Sequence, residues 1–115
     1  MSATTDIELE PSAVAERLAQ DRELQLVDVR EPYEHEAGHI AGDRHLELTA
    51  LSSQAQTLDQ ERPVVFYCRV GSRSLMAAQA FRAAGFEAYS MAGGLVRWSQ
   101  EGRALAPDGG RVADH

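Results

Sequence analysis

Along the chain the spacing of apolar residues changes period several times, and each change marks a predicted element. Ile7 and Leu9 alternate with charged neighbours, which predicts a short edge strand. Pro11 suits the first position of a helix, and Val14 and Leu18 fall on one face of it at a spacing of four. Leu24, Leu26, Val27 and Val29 predict a second strand that ends at Asp28-Val29-Arg30. Pro32 restarts the chain as a short helix, with Gly38 as its C-cap. Leu51, Ala55 and Leu58 share one face of another short helix, and Pro63 closes that region. Val64-Val65-Phe66-Tyr67 is an unbroken apolar run, the mark of a strand buried on both faces of a parallel sheet. It stops at Cys68. From Ser72 the period is helical through Leu75, Ala78 and Phe81 until Gly85 ends it. Ala88 to Met91 predicts a further strand, Gly93-Gly94 a turn, and Leu95 to Glu101 a last helix whose Trp98 packs into the core.

Strands alternating with helices at short spacing predict an α/β fold, a parallel sheet with helices on both faces. Ligands of such sheets gather at the carboxyl ends of the strands, and Cys68 lies at one. The 115 residues suit one domain, drawn here as 7–105, with a flexible start over 1–6 and a polar, Gly-rich, frayed tail over 106–115. An apolar fraction of 43% with 25% charged residues is an ordinary globular balance. The net charge of −7 disfavours nucleic acid and anionic membranes, whose phosphates it repels. The single cysteine excludes an internal disulfide framework and a multi-cysteine metal site. The first residues show no secretory pattern, and no apolar run is long enough to span a bilayer. The expected setting is therefore a reducing cytoplasm.

Chemistry concentrates in the loop Cys68-Arg69-Val70-Gly71-Ser72-Arg73-Ser74. A thiol is inert and its thiolate is the nucleophile, so the environment decides the reactivity. The helix that follows turns its N-terminal amides toward the loop, and Arg69 and Arg73 add positive charge. Gly71 permits the backbone to converge successive N–H groups into an anion nest, and Ser72 or Ser74 is placed to cap the helix or to donate to sulfur. A lone cysteine is most often a small buried hydrophobe. The strand-end position and the basic, Gly- and Ser-rich neighbourhood weigh against that here.

With this loop the chain resembles the rhodanese family, over about Ile7 to Leu105. Asp28-Val29-Arg30-Glu31-Pro32, then Glu34 and Gly38-His39-Ile40-Ala41-Gly42, are similar to the family's N-terminal signature. Tyr67 to Ser74 is similar to its active-site loop, and Gly93-Gly94, Leu95 and Trp98 to its C-terminal signature. The resemblance implies three α/β/α layers around a five-stranded parallel sheet of order 1-5-4-2-3. It also implies a sulfurtransferase in which Cys68 takes sulfane sulfur from thiosulfate or a related anionic donor, becomes a persulfide, and passes the sulfur to an acceptor. That acceptor is cyanide in an assay and a thiol such as glutathione or a thioredoxin-like protein in a cell. No cofactor or metal is implied, and the oligomeric state stays open between a monomer and a weak dimer. Ala41 and Asp43 depart from the family's usual Pro and Ala, and the loop matches neither the thiosulfate nor the mercaptopyruvate version, which leaves the donor open.

Asp28 and Arg30 end the second strand at the same rim, where they either support the site or merely pair with each other. His39 reads as a turn residue, since glycines flank its segment. His35, His45 and His115 show no metal-ligand spacing with cysteines or carboxylates. The rival activities are a phosphatase or arsenate reductase, and a redox-sensing or protein-binding module. A phosphate cradle of this fold needs five residues between Cys and Arg. Here Arg73 follows Cys68 after four.

Overall fold

The computed structural model describes residues 7–114, so the expectation for residues 1–6 and the histidine at 115 lie outside the described residues. Five strands form one parallel sheet: β1 (Glu8–Leu9), β2 (Gln25–Asp28), β3 (Arg44–His45), β4 (Val64–Tyr67) and β5 (Ala88–Met91). Their spatial order is β1-β5-β4-β2-β3, with every pair parallel, as the resemblance implies. The helices are α1 (Pro11–Gln20), α2 (Pro32–Ala37), α3 (Leu51–Gln54), α4 (Ser72–Ala83) and α5 (Gly94–Gln100). Short 3₁₀ turns, Leu48–Ala50 and Ala55–Thr57, flank α3, so the helix expected from Leu51 to Leu58 is an α-helical turn followed by a 3₁₀ turn.

Side chains alternate across a strand, and β4 shows what that does. Val64, Phe66 and Cys68 face one layer, where Val27, Leu51, Ala77 and Phe81 complete a core beneath α3 and α4. Val65 and Tyr67 face the other, where Val14, Leu26, Met91, Leu95 and Trp98 complete a core beneath α1 and α5. Every residue of β4 is fully buried, which contributes about 1.5–3 kcal/mol for each large apolar side chain removed from water. The central apolar strand thus anchors both layers, and it delivers Cys68 to the α4 side at its carboxyl end. Trp98 is buried as expected and donates its indole N–H to the Ala104 carbonyl at 2.9 Å.

Two features differ from the pattern read along the chain. β3 consists of Arg44 and His45, which carry no apolar signal; it pairs with Val27 and Asp28 at the sheet edge. Residues 106–114 do not project as a free tail. Ala106 and His39 exchange backbone hydrogen bonds at 2.7 and 2.8 Å, the Arg111 amide donates to the Ala37 carbonyl at 2.8 Å, and Ala113 is buried. The tail's anchors are backbone groups, which a hydrophobic pattern does not register. No helix among the described residues is long and apolar enough to cross a membrane.

Candidate active site

Beyond Tyr67 the chain leaves the sheet at Cys68, whose side chain is fully buried. Gly71 occupies the N-cap position of α4 with φ +106°, a left-handed conformation that strains any residue with a Cβ. That turn aims two backbone donors at the sulfur: the Gly71 N–H at 3.0 Å and the Ser74 N–H at 3.4 Å. Ser74 Oγ lies 3.5 Å from Sγ, 2.7 Å from Ser90 Oγ and 3.2 Å from the Gly71 carbonyl. An amide nest of this kind stabilises negative charge on sulfur. Ser72 is exposed and α4 has no side-chain cap, so of the two roles expected for Ser72 or Ser74, capping the helix or bonding sulfur, the capping one is not seen. The physical reason is that the N-cap residue is Gly71, while Ser74 turns inward to sulfur and Ser90. Val70 stands exposed at the loop's tip.

The loop is fixed from behind by α5. The Leu95 and Val96 amides donate to the carbonyls of Cys68 and Arg69 at 2.8 and 3.0 Å. A Cβ on Gly94 would lie 2.4 Å from the Arg69 carbonyl oxygen, so only glycine permits this approach. The Gly93-Gly94 turn is therefore also the clamp that holds the loop beyond Cys68.

Neither arginine stands free beside the thiol. Arg73 reaches back to α2 and makes a two-pronged bond with Glu34, at 2.9 and 3.0 Å. That hydrogen bond, ahead of the Glu34 and Cys68 charges, holds the Arg73 guanidinium above its ordinary pKa despite partial burial. Glu34 is fully buried and also accepts the Glu31 amide at 3.0 Å. The residue pattern assigned Glu34 no role; the signal was a carboxylate two residues beyond Pro32, on a helix too short to bury one without a partner. Arg69 donates to the Ala113 carbonyl at 3.2 Å and lies 3.6 Å from the exposed Asp114 carboxylate. The tail thus meets the Cys68 loop. Tyr33 Oη donates to the Asp114 carbonyl from the α2 side.

Asp28 and Arg30 pair with each other. Both are fully buried, with guanidinium contacts of 2.9 and 2.8 Å, and Arg30 also donates to the Gly38 carbonyl at 2.7 Å. Burial pushes Asp28 up, but the Arg30 hydrogen bonds and charge outweigh it and hold the carboxyl below its ordinary value. Beside this pair lies a group that the spacing along the chain did not reveal. His35 is stacked between His39 (centroids 3.9 Å) and His45 (4.6 Å), and its Nδ1 contacts Asp28 Oδ2 at 2.8 Å and Asp43 Oδ2 at 3.7 Å. Asp43 accepts the Tyr67 hydroxyl at 2.5 Å. Burial, then the Asp28 and Asp43 charges, keep that phenol protonated. His39 carries the turn role predicted for it, since its backbone pairs with Ala106 and its Nδ1 bonds the His35 carbonyl at 2.8 Å.

The two carboxylates act on stability with opposite signs. Asp28 is depressed, so its contribution is present above the ordinary carboxylate value and is lost as pH falls through its lower folded value. Asp43 is raised, first by burial and against the Tyr67 hydrogen bond. Its contribution is present below the ordinary value and is lost as pH rises through the folded one. Asp43→Asn in metal-free buffer is therefore expected to melt at a higher temperature than the native chain at neutral pH, with the gain disappearing in acid. Calorimetric melts at both pH values check this, and a lower neutral melting temperature would reverse the assigned sign.

Comparison with known proteins gives a consistent result. The rhodanese-like domain family model matches residues 10–101. The uncharacterized protein YqhL of Bacillus subtilis is 42% identical over 78 residues, covering 67% of this chain and 62% of that protein, so the match spans less than two thirds of that relative. Thiosulfate sulfurtransferase GlpE of Coxiella burnetii is 37% identical over 82 residues, covering 70% of this chain and 77% of that protein. The crystal structure of a rhodanese-related protein from Thermoplasma volcanium superposes with a TM-score of 0.80, covering 86% of this chain and 96% of that one at 23% identity, a likeness of fold.

Proposed function

The chain belongs to the rhodanese family, and on that premise we propose that it is a sulfurtransferase working through a persulfide on Cys68. The observation that carries the reading is the pair of amides, from Gly71 and Ser74, converging on Sγ at a strand end. The Cys68 thiolate attacks the outer sulfur of thiosulfate. The new Cys68 S–S bond forms as the donor's S–S bond breaks, and sulfite leaves with the bonding pair. The terminal sulfur carries one negative charge, which the nest stabilises between half-reactions. Cyanide, or a cellular thiol of the glutathione or thioredoxin-like kind, then attacks that sulfur and regenerates the thiolate. A reducing compartment keeps the single thiol available. The thiosulfate specificity in the name of the Coxiella relative supports thiosulfate as the first donor to test.

The test is an intact mass spectrum. The chain gains one sulfur atom on incubation with thiosulfate and loses it on adding cyanide. No mass gain with thiosulfate or with glutathione persulfide would overturn the reading.

Arg69 has a separate part in this scheme. Its guanidinium is about one third exposed and, among the described residues, is bonded by the tail at Ala113 and Asp114, which leaves it able to attract an anionic donor. Arg69→Ala is expected to raise KM for thiosulfate about 3–10-fold with little change in kcat, the behaviour of an interaction equal in ground and transition states. Steady-state thiocyanate formation separates the two constants. Arg73, committed to Glu34, is not available to cradle a phosphate, so hydrolysis of para-nitrophenyl phosphate is expected to be absent.

A further inference from the structure

We propose that His35, His39 and Asp43 form a binding site for one divalent transition-metal ion of the zinc class. One donor atom from each residue lies within 4.8 Å of the others, and although the Asp43 side chain is almost fully buried, His35 and His39 are partly exposed, so an ion can enter from the imidazole side. The arrangement is made by the fold. His35 sits on α2, and His39 and Asp43 lie on the segment that leads to β3. Their spacing of four and four along the chain becomes a cluster because the chain turns at Gly38 and again before Arg44.

Three observations make this more than proximity. The first is the outer shell. Metal-binding imidazoles nearly always donate their other ring N–H to a carboxylate or a backbone carbonyl, which fixes the tautomer and orients the ring. His35 Nδ1 is 2.8 Å from Asp28 Oδ2, and Asp28 is itself held by Arg30. His39 Nδ1 is 2.8 Å from the His35 carbonyl. Both acceptors lack protons, so Nδ1 carries the hydrogen in each ring and Nε2 keeps the lone pair; because His35 Nδ1 is also the atom 3.7 Å from Asp43 Oδ2, Asp43 must shift toward Nε2 for the two to share an ion. The second is charge. Arg30 matches Asp28, whereas the Asp43 carboxylate, 3% exposed, has imidazoles and the Tyr67 hydroxyl against it and no arginine in salt-bridge contact among the described residues. A cation supplies the missing charge. The third is ligand type. Two imidazoles with one carboxylate suit Zn²⁺, Co²⁺, Ni²⁺ or Cu²⁺, while Mg²⁺ and Ca²⁺ prefer oxygen donors alone.

Binding requires a local adjustment. Ligand bonds of about 2.0–2.2 Å put donors on one ion roughly 3–3.5 Å apart, closer than the present outer limit of the cluster. The His35 and His39 rings are within 12° of parallel, and parallel rings cannot both point at one ion. One ring must turn about its broad terminal torsion, and the partly exposed His39 has the room. Three protein ligands leave a fourth position for water.

The experiment is calorimetric titration of Zn²⁺ into untagged full-length protein at neutral pH, with Mg²⁺ as the control ion. Cys68→Ser is used as the background so that the thiolate is not a competing ligand. The expected result is one Zn²⁺ per chain with Kd below about 10 μM and no heat with Mg²⁺. His39→Ala, which keeps the backbone pair with Ala106, and Asp43→Asn should each weaken binding at least about tenfold. Ring ¹⁵N resonances of the otherwise native chain provide a second readout that does not depend on the variants folding: Zn²⁺ should shift His35 and His39. No saturable binding below about 100 μM, unchanged affinity in both variants, or ring shifts confined to other histidines would each overturn the proposal.

Discussion

Cys68→Ser is expected to lower the rate of thiocyanate formation from thiosulfate and cyanide by at least about 10³-fold, some 4 kcal/mol of transition-state free energy. The substitution changes one atom. The serine hydroxyl can accept the Gly71 and Ser74 amides that now point at sulfur and can donate to Ser74 Oγ, so no buried polar group is stranded. The cost in folding stability should accordingly be about 1 kcal/mol or less. What is lost is chemistry. A serine alkoxide is not populated at neutral pH without an adjacent base, and an oxygen in place of sulfur gives no persulfide to stabilise. The measurement pairs initial rates with circular dichroism, so that a rate loss in a folded chain is attributed to the nucleophile. A variant within tenfold of the native rate would remove Cys68 from the mechanism.

The parts of this site that could be read along the chain share a property: each is local in sequence. The apolar run Val64–Tyr67, its stop at Cys68 and the glycine three residues later lie within one short segment, and they gave the central strand, the nucleophile and the nest. The parts that were not legible are made by contacts across long separations. Glu34 meets Arg73 thirty-nine residues away, and Arg69 meets Ala113 at a separation of forty-four. Neither pair carries a periodic signal, since ionic and backbone contacts do not repeat along a helix or strand. Arg44 and His45 form a strand because Val27 and Asp28 offer an edge to pair with, not because their side chains favour one. The sheet order came from the resemblance to the rhodanese family and not from the hydrophobic pattern. Spacing along the chain gives His35, His45 and His115 no metal-ligand pattern with cysteines or carboxylates, yet the fold sets His35 beside His39 and Asp43. Their grouping depends on α2 ending at Ala37 and on the turn that follows, which brings three rings and two carboxylates to one place.

The asymmetry of the Glu34–Arg73 pair leads to the second large effect, on stability. Arg73→Met keeps much of the aliphatic stem but takes away the two-pronged guanidinium contact of the fully buried Glu34 carboxylate. Removing one partner of a buried ion pair costs about 3–5 kcal/mol, and a loss of that size lowers the melting temperature of a domain this long by roughly 10–20 °C. Glu34→Gln is expected to cost less. It keeps the side-chain shape and the acceptor for the Glu31 amide, and the charge it strands, on Arg73, is 18% exposed and reachable by water. The two effects should not add. In Arg73→Met/Glu34→Gln no charge is stranded, so the double variant should be more stable than Arg73→Met alone, with a coupling of about 0.5–3 kcal/mol. The same ordering should appear in sulfur transfer, since Arg73 lies between Ser72 and Ser74 and its tether to α2 positions the turn whose amides meet sulfur. Thermal melts of the three variants, with persulfide yield measured by mass spectrometry on each, test both halves. A melting temperature for Arg73→Met within about 2 °C of the native chain would show that the pair contributes nothing, and a double variant less stable than Arg73→Met would show that stranded charge is not the cause.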